Sequence, residues 1–444
     1  MCAEIWHNLY TFIAVALLGI LYYILFIPVS WKDNDASDKK SAVNRARRLR
    51  KIGNKLLPPF PNGWYKLATS KEIKPGTAKY IDCIGENFVI FRSTDSNKTF
   101  VLDAYCPHMG ANLGVGGVVK GDCIECPFHQ WKFSGESGSL VNIPYSDSIS
   151  DVEKFAKIRK WTSKEVNGLI FVWYHRENEE PWDIPVIDEI DSKKFVLHGW
   201  NEFRVYSHIQ DIPENGKGYL TSERTHTCVD KSFRILSQLL CNINDFIFSH
   251  LTQQNKTKNL GADVAHLAAV HGSNILGGAD INNMRNSWFS FGSHIWNAKW
   301  SSNTYYKHMA TVKLTHIFKI LSFKLIEIDA DIDQIGPGYV TLALKLIFGK
   351  IIILQTLTPL EPLVQNLSHY FYAPWYLGWL AKFIMYGETI NVARDVMIWN
   401  SKEFVRNPLL PKEEKPLKMF RSWYSQFYSE NSKSFAHAHE TLEW

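Results

Sequence analysis

Residues 106–129 carry two short boxes, Cys106-Pro-His108 and Cys126-Pro-Phe-His129, with seventeen residues between them. Two thiolates and two imidazoles spaced in this way suit a [2Fe–2S] cluster of mixed ligation, one iron taking both Cys and the other both His. Imidazoles in place of two thiolates raise the reduction potential well above that of an all-Cys cluster. The competing assignment is a small structural zinc site, because Cys123 forms a C-x-x-C with Cys126 and zinc accepts mixed Cys/His sets. A second group of donors lies downstream, where Asp263, His266 and His271 form a D-x-x-H-x-x-x-x-H string. On a helix the two imidazoles sit a little more than one turn apart and can face one ion. Two His and one carboxylate, with coordination positions left open, is the ligand set of non-heme Fe(II) oxygenases. The carboxylate candidate is Asp395, in a stretch that reads as a helix with apolar residues at 392, 396 and 399; Glu388 is the nearest rival. Taken alone, a His pair in an apolar helix is more often structural. The cluster boxes upstream turn the reading towards iron, since a cluster stores one electron and a second iron can use it on O2.

The flanks of the boxes add a resemblance. Gly110, Gly114, Gly116 and Gly117 surround the first box, and Trp131, Phe133 and Gly135 follow the second. They resemble the two cluster-binding loops of Rieske domains. Cytochrome bc-type Rieske proteins carry an extra Cys in each loop, joined as a disulfide. Ala111 and Phe128 stand at the matching positions here, so the loops are similar to those of Rieske oxygenases and ferredoxins instead. One departure is Gln130, where many such proteins have Gly. The order of boxes, D-x-x-H-x-x-x-x-H string and late Asp is similar to the alpha subunits of Rieske non-heme iron oxygenases. Within them it resembles the Neverland group of animal cholesterol 7-desaturases. The motifs are Cys-Pro-His-Met-Gly-Ala-Asn-Leu-Gly (106–114), Cys-Pro-Phe-His-Gln-Trp-Lys-Phe (126–133), Asp-Ile-Pro-Glu-Asn-Gly (211–216), Ala-Asp-Val-Ala-His-Leu (262–267) and Asp-Val-Met-Ile-Trp-Asn (395–400).

The resemblance implies an O2-dependent enzyme with a [2Fe–2S] cluster on Cys106, His108, Cys126 and His129 and a mononuclear Fe(II) on His266, His271 and Asp395. Asp263 is then the electron bridge between the two sites, across the subunits of a head-to-tail homotrimer. Electrons come from NAD(P)H through a separate reductase or ferredoxin. The implied substrate is cholesterol and the product 7-dehydrocholesterol, a steroid-hormone precursor. Other readings stay open: another Rieske monooxygenase acting on a steroid or lipid, a pure electron carrier, and an inactive splice form or sterol-binding protein.

The elements that must position these residues follow from composition and pattern. At 45% hydrophobic and 21% charged, the 444 residues are ordinary for globular protein, and a net charge of +5 makes no case for nucleic acid. Seven Cys, two of them committed to a cluster, suit a reducing compartment rather than a disulfide framework. Leu9–Val29 carries no charge and is long enough to span a bilayer as a helix. Tyr22, Tyr23 and Trp31 lie towards its end, and eight Lys and Arg between Lys39 and Lys55 follow it. Residues 1–31 are therefore expected to be a single-pass membrane anchor, with the catalytic part in the cytosol at the endoplasmic reticulum. A basic linker follows over 32–61, a Rieske domain over 62–175 and a catalytic domain over 176–444. Alternating runs predict antiparallel strands at 88–91, 99–102, 169–173, 309–317, 322–330 and 339–346, with helices around 263–271 and 389–404. The aromatic-rich run Phe371–Met385 reads as a sterol entrance, a surface dipping into a bilayer, or ordinary core. The expected fold class is α+β: an N-terminal transmembrane helix, an antiparallel β Rieske [2Fe–2S] domain, then a helix-on-sheet catalytic domain with a mononuclear iron site.

Residues 217–260 interrupt this plan. Related desaturases pass from Pro-Glu-Asn-Gly almost directly into Ala-Asp-Val-Ala-His. Gly216-Lys217 can be coded with a GTAAG splice donor and Leu260-Gly261 with an AG acceptor, so the segment reads as a retained intron, with a genuine loop as the alternative. Long structureless loops inside compact domains are uncommon.

Overall fold

The computed structural model describes residues 2–33, 56–146, 156–215, 292–320, 323–402, 404–411 and 414–440. The chain opens with helix α1 (Cys2–Phe26). Pro28, which has no N–H to donate, stands just past its end. Strand β1 (Val29–Lys32) follows directly and pairs in parallel with a strand of the catalytic sheet.

Ten short strands then build the cluster-binding unit: β2 (Gly63–Thr69), β3 (Ala78–Cys83), β4 (Glu86–Arg92), β5 (Thr99–Asp103), β6 (Val118–Lys120), β7 (Cys123–Glu125), β8 (Lys132–Ser134), β9 (Leu140–Asn142), β10 (Ser163–Val166) and β11 (Leu169–Tyr174). They form three antiparallel sheets, ordered β10-β11-β2, β3-β4-β5 and β6-β7-β8-β9. The last carries the chemistry: its first strand follows one box, and its β7–β8 connection is the other. Val89, Phe91, Phe100, Leu102, Leu113, Ile124 and Phe133 fill the space beneath, and Cys106 and Cys126 belong to the same buried cluster.

The catalytic unit contains α2 (Asp188–Asp191), β12 (Val196–Val205), α3 (Asp211–Asn215), β13 (Gly292–Ser302), β14 (Met309–Ile320), β15 (Phe323–Ile335), β16 (Tyr339–Leu346), β17 (Gly349–Glu361), β18 (Val364–Ala373), α4 (Gly378–Trp399), α5 (Lys415–Tyr424) and α6 (Phe435–Glu440). One eight-stranded sheet runs β1-β12-β18-β17-β16-β15-β14-β13, antiparallel except for the β1–β12 pair. Helix α4 lies over β12 and β18. Its buried residues Ala381, Met385, Thr389, Val392, Val396 and Trp399 recur every three or four positions, which puts them on one face of a helix. The two units share a core: Tyr65, Ile84 and Phe88 pack in one cluster with Leu357, Val392 and Val396. Polar contacts tie the same boundary, with Trp64 Nε1 donating to Trp182 O (2.7 Å) and Thr358 Oγ1 to Lys66 O (2.9 Å).

The strands expected by alternation are present, and the fold is α+β as expected. The N-terminus is a correction. Among the described residues no helix is long and apolar enough to cross a membrane. The uncharged run Leu9–Val29 is not one helix: α1 stops at Phe26 and Val29 already belongs to a strand. The end of α1 is docked on the catalytic unit, where Lys382 Nζ donates to the carbonyls of Tyr23 (2.8 Å) and Ile24 (2.6 Å), and Phe26 stacks on Trp375 at 6.0 Å. An ammonium satisfying the last turn and a strand hydrogen-bonded into the sheet are contacts a hydropathy window cannot weigh. The transmembrane helix, the membrane as a partner, and the single-pass placement in the endoplasmic reticulum are withdrawn with it. The run 371–385 spans the buried end of β18, a tight turn at Trp375–Leu377 and the start of α4, with Trp375, Tyr376, Trp379 and Phe383 exposed. That helix begins well before the expected residue 389.

Candidate functional site

The two boxes fold into matching loops. In the first, Gly110 N–H donates to Cys106 O (2.9 Å) and Cys106 N–H to Ala111 O (2.9 Å); in the second, Gln130 N–H donates to Cys126 O (3.0 Å) and Cys126 N–H to Trp131 O (2.8 Å). Each turn needs a left-handed residue at its fifth position. Gly110 has φ +72° and Gln130 has φ +58°, which explains why glycine is the usual residue after the second His. Cys106 and Cys126 are buried side by side, whereas His108 is exposed and His129 half-buried. The imidazole rings stand 4.7 Å apart, and Trp131 stacks on His108 at 4.3 Å and 5°. Burial, with the second thiol alongside, pushes Cys106 up to about 11, against backbone N–H groups of His108 and Met109 that favour the thiolate. His129 Nδ1 is buried with no hydrogen-bond partner among the described residues. Two adjacent sulfurs, two adjacent imidazoles and an orphaned ring nitrogen fit a [2Fe–2S] cluster, which buried Cys106 and Cys126 would hold from within and His108 and His129 from the surface side. Cys123 lies in β7, half-buried, whereas Cys106 and Cys126 are fully buried.

Of the three residues expected to hold an iron, one lies among the described residues. Asp395 is half-buried on α4, seven residues after Glu388 and so on the same face about two turns on. Asp263, His266 and His271 lie outside the described residues, as does the 217–260 segment. Helix α3, the Asp-Ile-Pro-Glu-Asn string that leads towards them, is clamped from both sides. Asp211 pairs with Lys402 at 2.6 Å, and Arg421 Nη2 donates to Glu214 Oε2 at 2.8 Å with its Nε 2.8 Å from Oε1. Both carboxylates are buried, so each pair is a geometric constraint more than a source of stability.

A buried polar group lies under α4, and no local sequence pattern marks it. Asn201 on β12 and His369 on β18 are register partners, and Glu388 and Thr389 reach them from the helix. They stand 168 and more residues apart from Asn201 along the chain, beyond any local pattern.

Comparison with known proteins agrees with this architecture. Residues 63–156 match the Rieske [2Fe-2S] domain family, and residues 172–428 match the 3-ketosteroid 9alpha-hydroxylase C-terminal domain family. The chain is 12% identical to dicamba monooxygenase, whose crystal structure aligns at a TM-score of 0.51 over 84% of this chain and 98% of that one, a likeness of fold. A cluster domain joined to this catalytic domain defines a Rieske-type oxygenase. Within that class the chain is 42% identical to the cholesterol 7-desaturase nvd of Drosophila melanogaster, over 94% of this chain and 90% of the relative. It is 32% identical to the cholesterol 7-desaturase of Caenorhabditis elegans, over 89% and 82%. The chain belongs to the cholesterol 7-desaturase family.

Proposed function

We propose that this enzyme introduces the C7 double bond of cholesterol. Cholesterol, O2, NAD(P)H and a proton give 7-dehydrocholesterol, two waters and NAD(P)+. The observation that carries this is the 42% identity with a cholesterol 7-desaturase along nearly the whole chain. Cys106 and Cys126 hold one iron of the cluster and His108 and His129 the other. His266, His271 and Asp395 hold the mononuclear Fe(II), Asp263 links the two sites, and electrons arrive from NAD(P)H through a separate reductase or ferredoxin. When bound, these groups supply one-electron transfer and O2 activation. The chain's own side chains set the geometry: Trp131 fixes the His108 ring by stacking, the paired turns aim both boxes at one point, and α4 carries Asp395. A second reading is hydroxylation of a ketosteroid, favoured by the match over residues 172–428.

The test is the sterol profile of cells fed cholesterol. One culture expresses this chain and another a version joined at a single Gly with the 45 residues 217–261 removed. The expected product is a conjugated diene, seen by its ultraviolet absorption and by the loss of two hydrogens in mass. If only the shortened chain makes it, the inserted segment is inactivating, as a retained intron would be. A product one oxygen heavier, with no diene, sinks the desaturase reading in favour of hydroxylation.

A further inference from the structure

The seam between α4 and the sheet is apolar at both ends and polar in the middle. On one side Ala381 and Met385 pack with Ile353 and Phe371, and on the other Val392, Val396 and Trp399 pack with Phe203, Leu357 and Leu367. Between them, Asn201 Nδ2 donates to Glu388 Oε2 (2.5 Å) and to Thr389 Oγ1 (2.9 Å), and Thr389 Oγ1 donates to Met385 O (2.7 Å). His369 Nδ1 lies 2.8 Å from Asn201 Oδ1 and 3.2 Å from Glu388 Oε1. Asn201, His369 and Thr389 are buried. Glu388 alone stays accessible, at 22% of its side chain, yet burial pushes its carboxyl up to about 8. Glu388 is therefore the one member of the cluster that a ligand can reach, and it lies at a break in an otherwise apolar seam. Polar side chains inside an apolar seam cost free energy unless fully hydrogen-bonded, and apolar residues would fill the same space at less cost.

We propose that Glu388, held by Asn201 and His369, is the hydroxyl-recognition end of the substrate cavity and takes the 3-hydroxyl of the sterol. The proposal rests on the sterol-desaturase reading above. Asn201 occupies one carboxyl oxygen and His369 stands against the other. A ligand hydroxyl, which both donates and accepts, completes the carboxyl in either protonation state. Glu388 and Asp395 lie on one face of α4 about 10 Å apart along its axis. A rigid ligand gripped at Glu388 by its hydroxyl and lying along this face of α4 would bring its middle near Asp395.

Kinetics of the intact enzyme on cholesterol and on cholest-5-ene, which lacks only the 3-hydroxyl, read the proposal as a ratio. The wild-type enzyme is expected to favour cholesterol in kcat/KM by ~10–100-fold, the range for a hydrogen bond to a buried polar group. Glu388→Ala collapses the ratio towards one, chiefly by raising KM for cholesterol. Glu388→Gln, whose amide still donates and accepts, keeps most of it. An unchanged ratio in Glu388→Ala, or an equal loss of kcat on both sterols, overturns the proposal. Where Glu388→Ala does not fold, Glu388→Met, apolar and of similar length, carries the same comparison. Binding of the two sterols, followed by quenching of tryptophan fluorescence, reads the ratio without turnover. A wild-type enzyme that prefers cholesterol in binding, loses that preference in Glu388→Ala, and yet forms no diene would sink the desaturase reading and leave this one standing.

Discussion

At the scale of single residues, Trp131 does for the His108 ring what Asn201 does for the Glu388 carboxyl: each holds a functional group in one orientation by direct contact. The cluster boxes announce themselves because each loop brings its Cys and His within four positions, and the fold needs only to bring two loops together. Asn201 and His369 were illegible for the opposite reason, and Glu388 was read only as a rival iron ligand: the three gain their shared meaning only when β12, β18 and α4 meet. His208 is a similar case. Its Nε2 donates towards the carbonyls of Leu57 (3.2 Å) and Pro58 (3.3 Å), while its Nδ1 accepts from Gln210 N–H (3.2 Å). The neutral ring is thus fully used, and burial pushes its pKa down to about 4. Between pH 6.5 and 4 the unfolded chain binds the proton and the folded one does not, so stability is present above that window and lost as pH falls through it. The loss attributable to this ring is on the order of 3 kcal/mol. Thermal unfolding of the wild type and His208→Gln across pH 7 to 4 should show the gap between them closing or reversing on acidification. A gap independent of pH would refute the assignment.

Among the elements, period-two alternation located β14, β15 and β16, and buried and less buried positions alternate over 310–314 of β14 and 329–334 of β15. It failed at the start of α4, where a strand end, a tight turn and the first helical turns run together in one aromatic stretch with no clear period. The two cluster loops show a different limit. The sequence marked Gln130 as a departure, but only the backbone shows what it departs from: a left-handed position that a side chain occupies at a cost. Gln130→Gly should leave stability unchanged or slightly raised, relief of strain offsetting the more flexible unfolded chain. Gln130→Val, β-branched at positive φ, should destabilise by on the order of 1 kcal/mol or more. Loss of the cluster's visible absorbance on heating follows both. Equal behaviour of the Gly and Val variants would show that the turn has another conformation in solution.

For the whole molecule, the sequence predicted two domains and an anchor, and the anchor was the error. An uncharged run reports how readily side chains leave water; it does not show where the backbone turns, and here most α1 side chains from Tyr10 to Tyr23 stay exposed while only the helix end is docked. Here Pro28 and β1 turn the chain back onto the catalytic sheet, and Lys382 holds the helix end from the other side. The two units are equally hard to separate, since Phe88 of one and Val392 of the other lie in a single buried cluster. Helix α4 therefore carries Asp395, the proposed iron ligand, and at the same time packs against the cluster-binding unit.

The place of β1 has a practical consequence for anyone shortening the protein. An apolar N-terminal helix invites removal, and a cut placed in the basic stretch after Lys32 would take β1 with it. That strand supplies the outer hydrogen bonds of β12 from Gly199 to Glu202, and Trp31 covers Phe203 at 4.7 Å. Without it, a long β12 presents a bare row of backbone donors and acceptors at the rim of an eight-stranded sheet, next to an uncovered aromatic, which is a template for another chain to add to. A version beginning after residue 33 should self-associate, seen as high-mass species in size-exclusion chromatography with light scattering. One beginning at Pro28 should keep the sheet closed and elute as the full-length chain does.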